Sequence, residues 1–316
     1  MKPLAALIVL LALAASAAPS AAAEQRLATE SAPFTADAFG GVIAWSAYDA
    51  AARVYRLRLL RDGVAVDPAV DASPAPFDLD VGPGPDGAPL VVYSRRGDIF
   101  QYDPASGLEQ PLAEVNTPGT ELHPSLYRNA LGFVRRVNGK PVLYLRSGGD
   151  TRRRPRPRFK RTLAIEDVEL SARGLFVVYR TDIVRTCCTN ATLYRVAGKR
   201  LRHIFRVGSG GANFGQLLTP NVSGRSIFFA RTNEGSGQGN RFFRYDLRTK
   251  RLFAARGTSQ AESVTWLGDR LLLSRSRGGC APPLPGGAGT PTCELVITDP
   301  IAFRRATKAD VRKTRP

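Results

Sequence analysis

Six short apolar runs recur along this chain: VIAWSA (42–47), LVVYSR (90–95), LGFVRR (131–136), LFVVYR (175–180), SIFFAR (226–231) and LLLSRS (271–276). Their starts lie 48, 41, 44, 51 and 45 residues apart. A turn-type sequence precedes most copies, as at Gly84-Pro85-Asp86-Gly87, Ala172-Arg173-Gly174 and Ser223-Gly224-Arg225. A second run with aromatic or large apolar residues follows each: VYRLRLL (54–60), DIFQYD (98–103), VLYLRS (142–147), TLYRV (192–196), FFRYDL (242–247) and ELVITD (294–299). One such pair is only a hairpin signal. Six at a period of 40–50 residues predict an all-β chain, a six-bladed β-propeller.

The other two strands of each four-stranded antiparallel blade fall around that pair. First strands are read at ELHPSLY (121–127), IEDVEL (165–170), QLLTPNV (216–222) and ESVTWL (262–267). Fourth strands are read at LEQPLAE (108–114), KRLRHIFRV (199–207) and KRLFAAR (250–256). The blades then span about 35–70, 77–114, 119–164, 165–207, 213–257 and 261–311, one domain over 24–316. Closing the ring removes the sheet edge between the first and last blades. Either 24–34 or 301–311 can supply the closing strand.

The turn GPDGAPLVVYS (84–94), and more loosely ARGLFVVYR and SGRSIFFAR, resembles the propeller of the TolB family, in which a Pro-Asp-Gly turn leads into the second strand of each blade. The similarity spans about 35–310. It implies a six-bladed propeller in the cell envelope that binds protein partners, and it carries over no functional residue, because the motif is a structural turn.

The N-terminus bears on compartment. Met1-Lys2 precedes an Ala/Leu-rich run, Leu4 to Ala18, and small residues lead to Glu24. Charged start, short apolar core and small-x-small site are the layout of a secretory signal peptide, here 1–23. The run is too short and too small-sided for a spanning helix, so the mature form is expected to be exported, monomeric and without a transmembrane segment. Export makes disulfides the expected fate of an even cysteine count. Cys280 and Cys293 flank the Pro/Gly-rich GGCAPPLPGGAGTPTC loop and are expected to pair. Adjacent Cys187 and Cys188 are either a vicinal disulfide or two free thiols. The only histidines, His123 and His203, lie far from both pairs, which removes the usual zinc spacing.

The formal net charge is +18, and 151–161, TRRRPRPRFKR, holds seven positive charges in eleven residues. With seven Lys against 38 Arg, part of this basicity reflects composition. Outer strands are commonly guarded by Lys, Arg and Pro, so the stretch is read as a connector, 148–155, running into a charged fourth strand, 156–164. A polyanion site and a protease-accessible loop are the competing readings. Nucleic acid is not expected: Phe159 is the only ring in the stretch, against the interleaved aromatics of single-strand binders.

No catalytic pattern emerges. Gly82-x-Gly84-x-x-Gly87 matches a dinucleotide fingerprint by letter, but Pro83 and Pro85 interrupt it and a strand follows instead of a helix. There is no nucleophile elbow and no Walker loop. His123 and His203 read as packing or surface residues. Asn190-Ala191-Thr192 and Asn221-Val222-Ser223 would be glycosylation acceptors only in a eukaryotic secretory route. Acids on first strands, Glu121, Glu166, Asp167 and Glu262, are candidate channel carboxylates, able to serve a hydrolase or lyase as an acid/base pair or to hold calcium. No cofactor is expected. Connections between second and third strands lengthen in blades 4 (181–191), 5 (232–241) and 6 (277–293), all on one face of the ring. Long loops on a rigid scaffold are where binding concentrates. A binding propeller for a protein or anionic envelope polymer is therefore the leading expectation; a propeller hydrolase or lyase for a polysaccharide or lactone is the alternative.

Overall fold

The computed structural model describes residues 24–310 apart from 33, 158–163, 185–187, 208–216, 232–240, 256–260, 269, 278–291, 299–300 and 308–309. Six antiparallel sheets follow one another along the chain, each strand paired with its sequence neighbours. Blade 1 holds Ala36–Phe39, Val42–Asp49, Val54–Arg61 and Val64–Val66; blade 2 Asp78–Pro83, Pro89–Arg95, Asp98–Asp103 and Leu108–Pro111. Blade 3 holds Thr120–Tyr127, Ala130–Val137, Lys140–Ser147 and Asp150–Arg153; blade 4 Ala164–Ser171, Gly174–Val184, Cys188–Ala197 and Arg200–Val207. Blade 5 begins Leu217–Ser223, Ser226–Arg231, Arg241–Asp246 and Arg251–Ala255; blade 6 begins Ala261–Leu267, Arg270–Arg277 and Thr292–Ile297.

The termini divide the two roles left open by the sequence. Gln25–Glu30 pairs with Thr292–Ile297 as the outer strand of blade 6, so the N-terminal segment closes the ring. Phe303–Arg305, expected in blade 6, instead adds a fifth strand to the outer edge of blade 5. Arg275 and Glu294 bind the closure together: Arg275 bonds the carboxylates of both Glu24 and Glu294, and Arg26 reaches Glu294 at 3.3 Å.

The recurring second-strand runs have a physical cause. A strand stacked between two blades is buried on both faces, so it reads as continuous apolar sequence rather than alternating. In LFVVY, Phe176 and Val178 join the core between blades 4 and 5, while Leu175, Val177 and Tyr179 join the core between blades 3 and 4. Each of the six seams has its own apolar cluster. Phe133 and Phe229 are fully buried in these seams, and truncating such a Phe costs about 3–5 kcal/mol.

Two local expectations are corrected. Blade 3's outer strand is Asp150–Arg153, paired from Tyr144↔Arg153 to Ser147↔Asp150, not 156–164. The reason is Gly148-Gly149: both take positive φ, which closes a two-residue hairpin at once. In blade 4 the expected loop 181–191 is mostly ladder, with pairs Thr181↔Asn190, Asp182↔Thr189 and Val184↔Cys188. The β-branched residues there suit a pleated strand. Most of the longer connections of blades 5 and 6, and the expected signal peptide, lie outside the described residues.

Candidate functional site: the polar channel

The innermost strands carry a polar side chain at one repeated register: Asp37, Asp80, Ser125, Glu169, Asn221 and Thr265 in blades 1 to 6. Five of them accept a hydrogen bond from the backbone N–H of the next blade's first strand. Val81 donates to Asp37 (2.8 Å), Leu126 to Asp80 (2.9 Å) and Leu170 to Ser125 (2.8 Å). Val222 donates to Glu169 (2.8 Å) and Trp266 to Asn221 (3.1 Å). Thr265 completes the circuit by donating its hydroxyl to Asp37 (2.7 Å). First strands lie too far apart for backbone ladders between blades, so side chains satisfy these N–H groups, each of which would be costly to leave unmade.

A second tier lies two residues earlier on each strand. Ser263 accepts from Ala36 N–H (3.0 Å) and Thr219 from Val264 N–H (3.3 Å). Asp78 accepts from both the backbone N–H of His123 (2.7 Å) and its Nδ1 (2.8 Å). His123 adopts positive φ, and the pairing of blade 3's first two strands shifts register there. That irregularity turns the imidazole toward Asp78, an acidic partner that sequence spacing did not reveal. Asp167 occupies the same tier in blade 4 and accepts from Val168 N–H (2.8 Å).

Charge in this enclosure is crowded. Burial raises Asp80 and Glu169 well above the usual carboxylate range; Asp37 adds repulsion to both, and Asp80 adds more to Glu169. Asp37 is itself raised by burial, against the bonds from Val81 and Thr265. Burial also lifts Asp167 to about 8, although the charge on His123 opposes the shift. His123 is held at about 9: burial disfavours its charge, but the Asp78 carboxylate outweighs that. Asp78 is correspondingly lowered: burial works against this, and the charge and bonds of His123 overcome it.

Of the expected channel acids, the structure places Asp167 in the channel. Glu121 is fully buried away from it, holding Arg135 Nε at 2.6 Å and the Thr117 hydroxyl at 2.7 Å. Arg135 in turn covers the rings of Phe133 and Tyr144, so this pair is internal packing. Glu166 pairs with Arg180 at 3.0 Å. Glu262 falls at a register shift in blade 6, and its side chain is outside the described ones. Asp37, Asp78, Asp80 and Glu169 were missed; the signal for them was a polar residue at constant register on each first strand, visible once all six strands are aligned. Asn221, read as a conditional glycosylation acceptor, is instead part of the ring.

A cavity of about 290 Å³ opens where first strands turn into second strands, lined by Asp37, Asp80, Glu169, Asn221, Tyr127 and Trp266 among others. Arg173 at its rim donates to Gly224 O across the seam of blades 4 and 5 (2.9 Å). Strand direction puts this mouth on the face opposite the long connections. Gly82 belongs to its wall: a Cβ there would lie 2.1 Å from Leu126 O. The fingerprint-like glycines are thus a close blade approach at Gly82 and a hairpin in which Gly87 N–H bonds Gly84 O (3.0 Å). Among the described residues no group of three or more His, Cys, Asp or Glu side chains is placed to hold a metal ion. Cys293 is buried and disulfide-bonded. Cys187 and Cys280 lie outside the described residues, as does the side chain of Cys188. No helix of the described residues is long and apolar enough to cross a membrane.

No protein-family model and no curated protein matches the chain. Among solved structures it is similar to an oligogalacturonate lyase in complex with manganese, at 13% identity over 82% of this chain and 76% of that one, TM-score 0.53. It is similar to a puromycin hydrolase at 15% identity over 85% of this chain, TM-score 0.51, and spans only 52% of that protein. TolB from Acinetobacter baumannii is 17% identical over 84% of this chain and 67% of that one, TM-score 0.47. At such identities the likeness is one of fold: this chain shares the architecture of a six-bladed β-propeller.

Proposed function

We propose that the protein is an exported propeller that binds rather than catalyses, engaging a protein or an anionic polymer of the cell envelope. The observation that carries this reading is the use made of the channel acids. Asp37, Asp78, Asp80 and Glu169 each accept a backbone N–H from the next blade, so the groups a catalytic channel would use are committed to holding blades together. Partner docking is assigned to the face carrying the long second-to-third connections of blades 5 and 6, the blade 4 connection being mostly ladder. Cleavage before Glu24 and a Cys280–Cys293 disulfide belong to the same reading, as does a monomeric mature form; Cys187 and Cys188 are proposed as a vicinal disulfide. The experiment is to shorten the connections of blades 5 (232–241) and 6 (277–293) to tight turns and compare retention of envelope components with that of the intact protein. Lost retention with an unchanged melting temperature supports the loop face; undiminished retention by a folded variant contradicts it.

A second reading, a hydrolase or lyase of polysaccharides or lactones, rests on one observation. Asp167 at about 8 stands near His123 at about 9, and displaced titration in a cleft is a mark of acid/base sites. Turnover of such substrates that disappears in Asp167→Asn would favour it over binding alone.

A further inference from the structure

The outer strands differ sharply in charge around the ring. Blade 1 ends in Val64–Val66 and blade 2 in Leu108–Pro111, with Glu109 its only charge. Blade 4 ends in RLRHIFRV, in which Arg200, Arg202 and Arg206 are all exposed. Among the described residues no carboxylate lies within ion-pair distance of these three. The neighbouring rims continue the same sign, through exposed Arg153 on blade 3, whose neighbour Arg152 pairs with Asp150 at 2.7 Å, and Lys250 in the turn before blade 5's fourth strand. The arginines of blade 1 are different: Arg56 pairs with Asp49 at 3.1 Å, Arg58 with Asp67 at 3.7 Å, and Arg61 donates to Pro104 O at 2.6 Å.

Blade 4 also keeps an arrangement that is unfavourable without an anion. Arg202 stands directly opposite Arg195 in the ladder, and like charges in that position are destabilising. His203, exposed between Arg202 and Arg206, is lowered by partial burial and by the charge of Arg206. On blade 3, the buried Nε of Arg154 has no hydrogen-bond partner among the described residues. Guanidinium forks of this kind match carboxylate geometry. The exposed His203 ring, packed edge to face on Tyr194 with 5.9 Å between centroids, sits between Arg202 and Arg206 and offers a ring contact beside the charges, which suits a sugar better than a bare inorganic chain.

We propose that the outer rim of blades 3 to 5, centred on Arg200, Arg202 and Arg206, is a docking track for a linear acidic polysaccharide. This rests on the binding reading above but uses a different surface from the loop face. A carboxylate-bearing chain would lie along the rim, neutralise the unpaired arginines and relieve the Arg195–Arg202 opposition.

The test is titration of polygalacturonate into the full-length protein at several salt concentrations. Arg200→Ser/Arg202→Ser/Arg206→Ser should weaken binding about 10- to 100-fold and flatten the salt dependence, since fewer counterions are displaced. Arg56→Ser/Arg58→Ser/Arg61→Ser removes the same net charge from arginines that already have partners and should cost less than about threefold. Replacing the same rim arginines by lysine should give an intermediate loss, because charge is kept and the fork is not. Equal weakening by both serine triples would overturn the track in favour of net charge. Binding to polyphosphate but not polygalacturonate would overturn the polysaccharide assignment. Shortened-loop variants that keep polygalacturonate binding would leave the track standing while the loop face fails.

Discussion

Along the axis, Asp37, Asp78, Asp80, Asp167 and Glu169 crowd into a narrow channel, each accepting at least one backbone N–H. On the rim of blade 4, Arg200, Arg202 and Arg206 face solvent, and the described carboxylates leave them unpaired. Both regions are charged far beyond what folding by apolar burial requires, yet the charge does different work. In the channel a carboxylate is useful as an acceptor: its oxygens reach a backbone N–H on a neighbouring strand that lies too far away for a ladder. Its negative charge is a liability in so enclosed a place, and burial raises Asp80, Glu169 and Asp167 above the usual carboxylate range. On the rim the charge itself is exposed and available. A formal +18 therefore describes the surface and conceals an acidic axis.

The largest loss is expected at a buried pair that belongs to neither region. Glu121→Ala strands the Arg135 guanidinium inside blade 3 and should cost about 3–5 kcal/mol, read from urea denaturation. If the loss is under about 1 kcal/mol, burial of that pair has been overstated. Within the channel, Gly82→Ala should be nearly as damaging, since its Cβ must push against Leu126 O of the next blade; a shift of the melting temperature below about 2 °C would contradict so close an approach.

The pH dependence sharpens the contrast further. A carboxyl raised by folding keeps its proton where the unfolded chain has lost it, so stability falls as pH rises from about 4 to about 8, the value of Asp167. His123 contributes stability that is full below 6.5 and is lost as pH rises through about 9. The two act in the same direction, and the melting temperature should decline from about pH 6 to about pH 9. Asp167→Asn should flatten that decline. Asp78 and Asp310, lowered by His123 and by Arg304 respectively, act oppositely and lose their contribution only as pH falls below about 4. The smallest effect belongs to the rim: Arg200→Ser/Arg202→Ser/Arg206→Ser should change stability by no more than about 0.5 kcal/mol per site, or increase it by removing the Arg195–Arg202 opposition.

The repeat made the blades legible because apolar runs sandwiched between sheets leave a continuous signature. It located every second and third strand, and it failed at blade 3's outer strand, where a Gly-Gly turn mattered more than register counted from neighbours. The channel was harder to read. Glu121, Glu166 and Asp167 lie on comparable first strands, but register shifts at 122–125 and 165–167 rotate successive side chains differently, so Glu121 is buried against Arg135, Glu166 pairs with Arg180, and Asp167 feels the charges of Asp78 and Asp37. Asp37 and Asp80 sit on short strands with few apolar neighbours to mark them. The pairing of His123 with Asp78 joins residues of different blades, a contact that no local pattern encodes. Rim basicity was plain in the sequence, but which arginines are already paired depends on Asp49 and Asp67 returning beside blade 1.

The most direct test of the channel's role is to compare Asp80→Asn with Asp80→Ala by urea denaturation at about pH 8, where an ordinary carboxyl is ionised. Asp80 accepts from Leu126 N–H and from the Ser125 hydroxyl. Asparagine keeps an acceptor oxygen and removes the charge, so it should fold within about 0.5 kcal/mol of the parent or more stably, while alanine should lose about 2–4 kcal/mol by leaving buried donors unmade. Equal losses in both variants would mean that the negative charge itself is required, and the channel acids would then be a ligand site and not the ring that joins the blades.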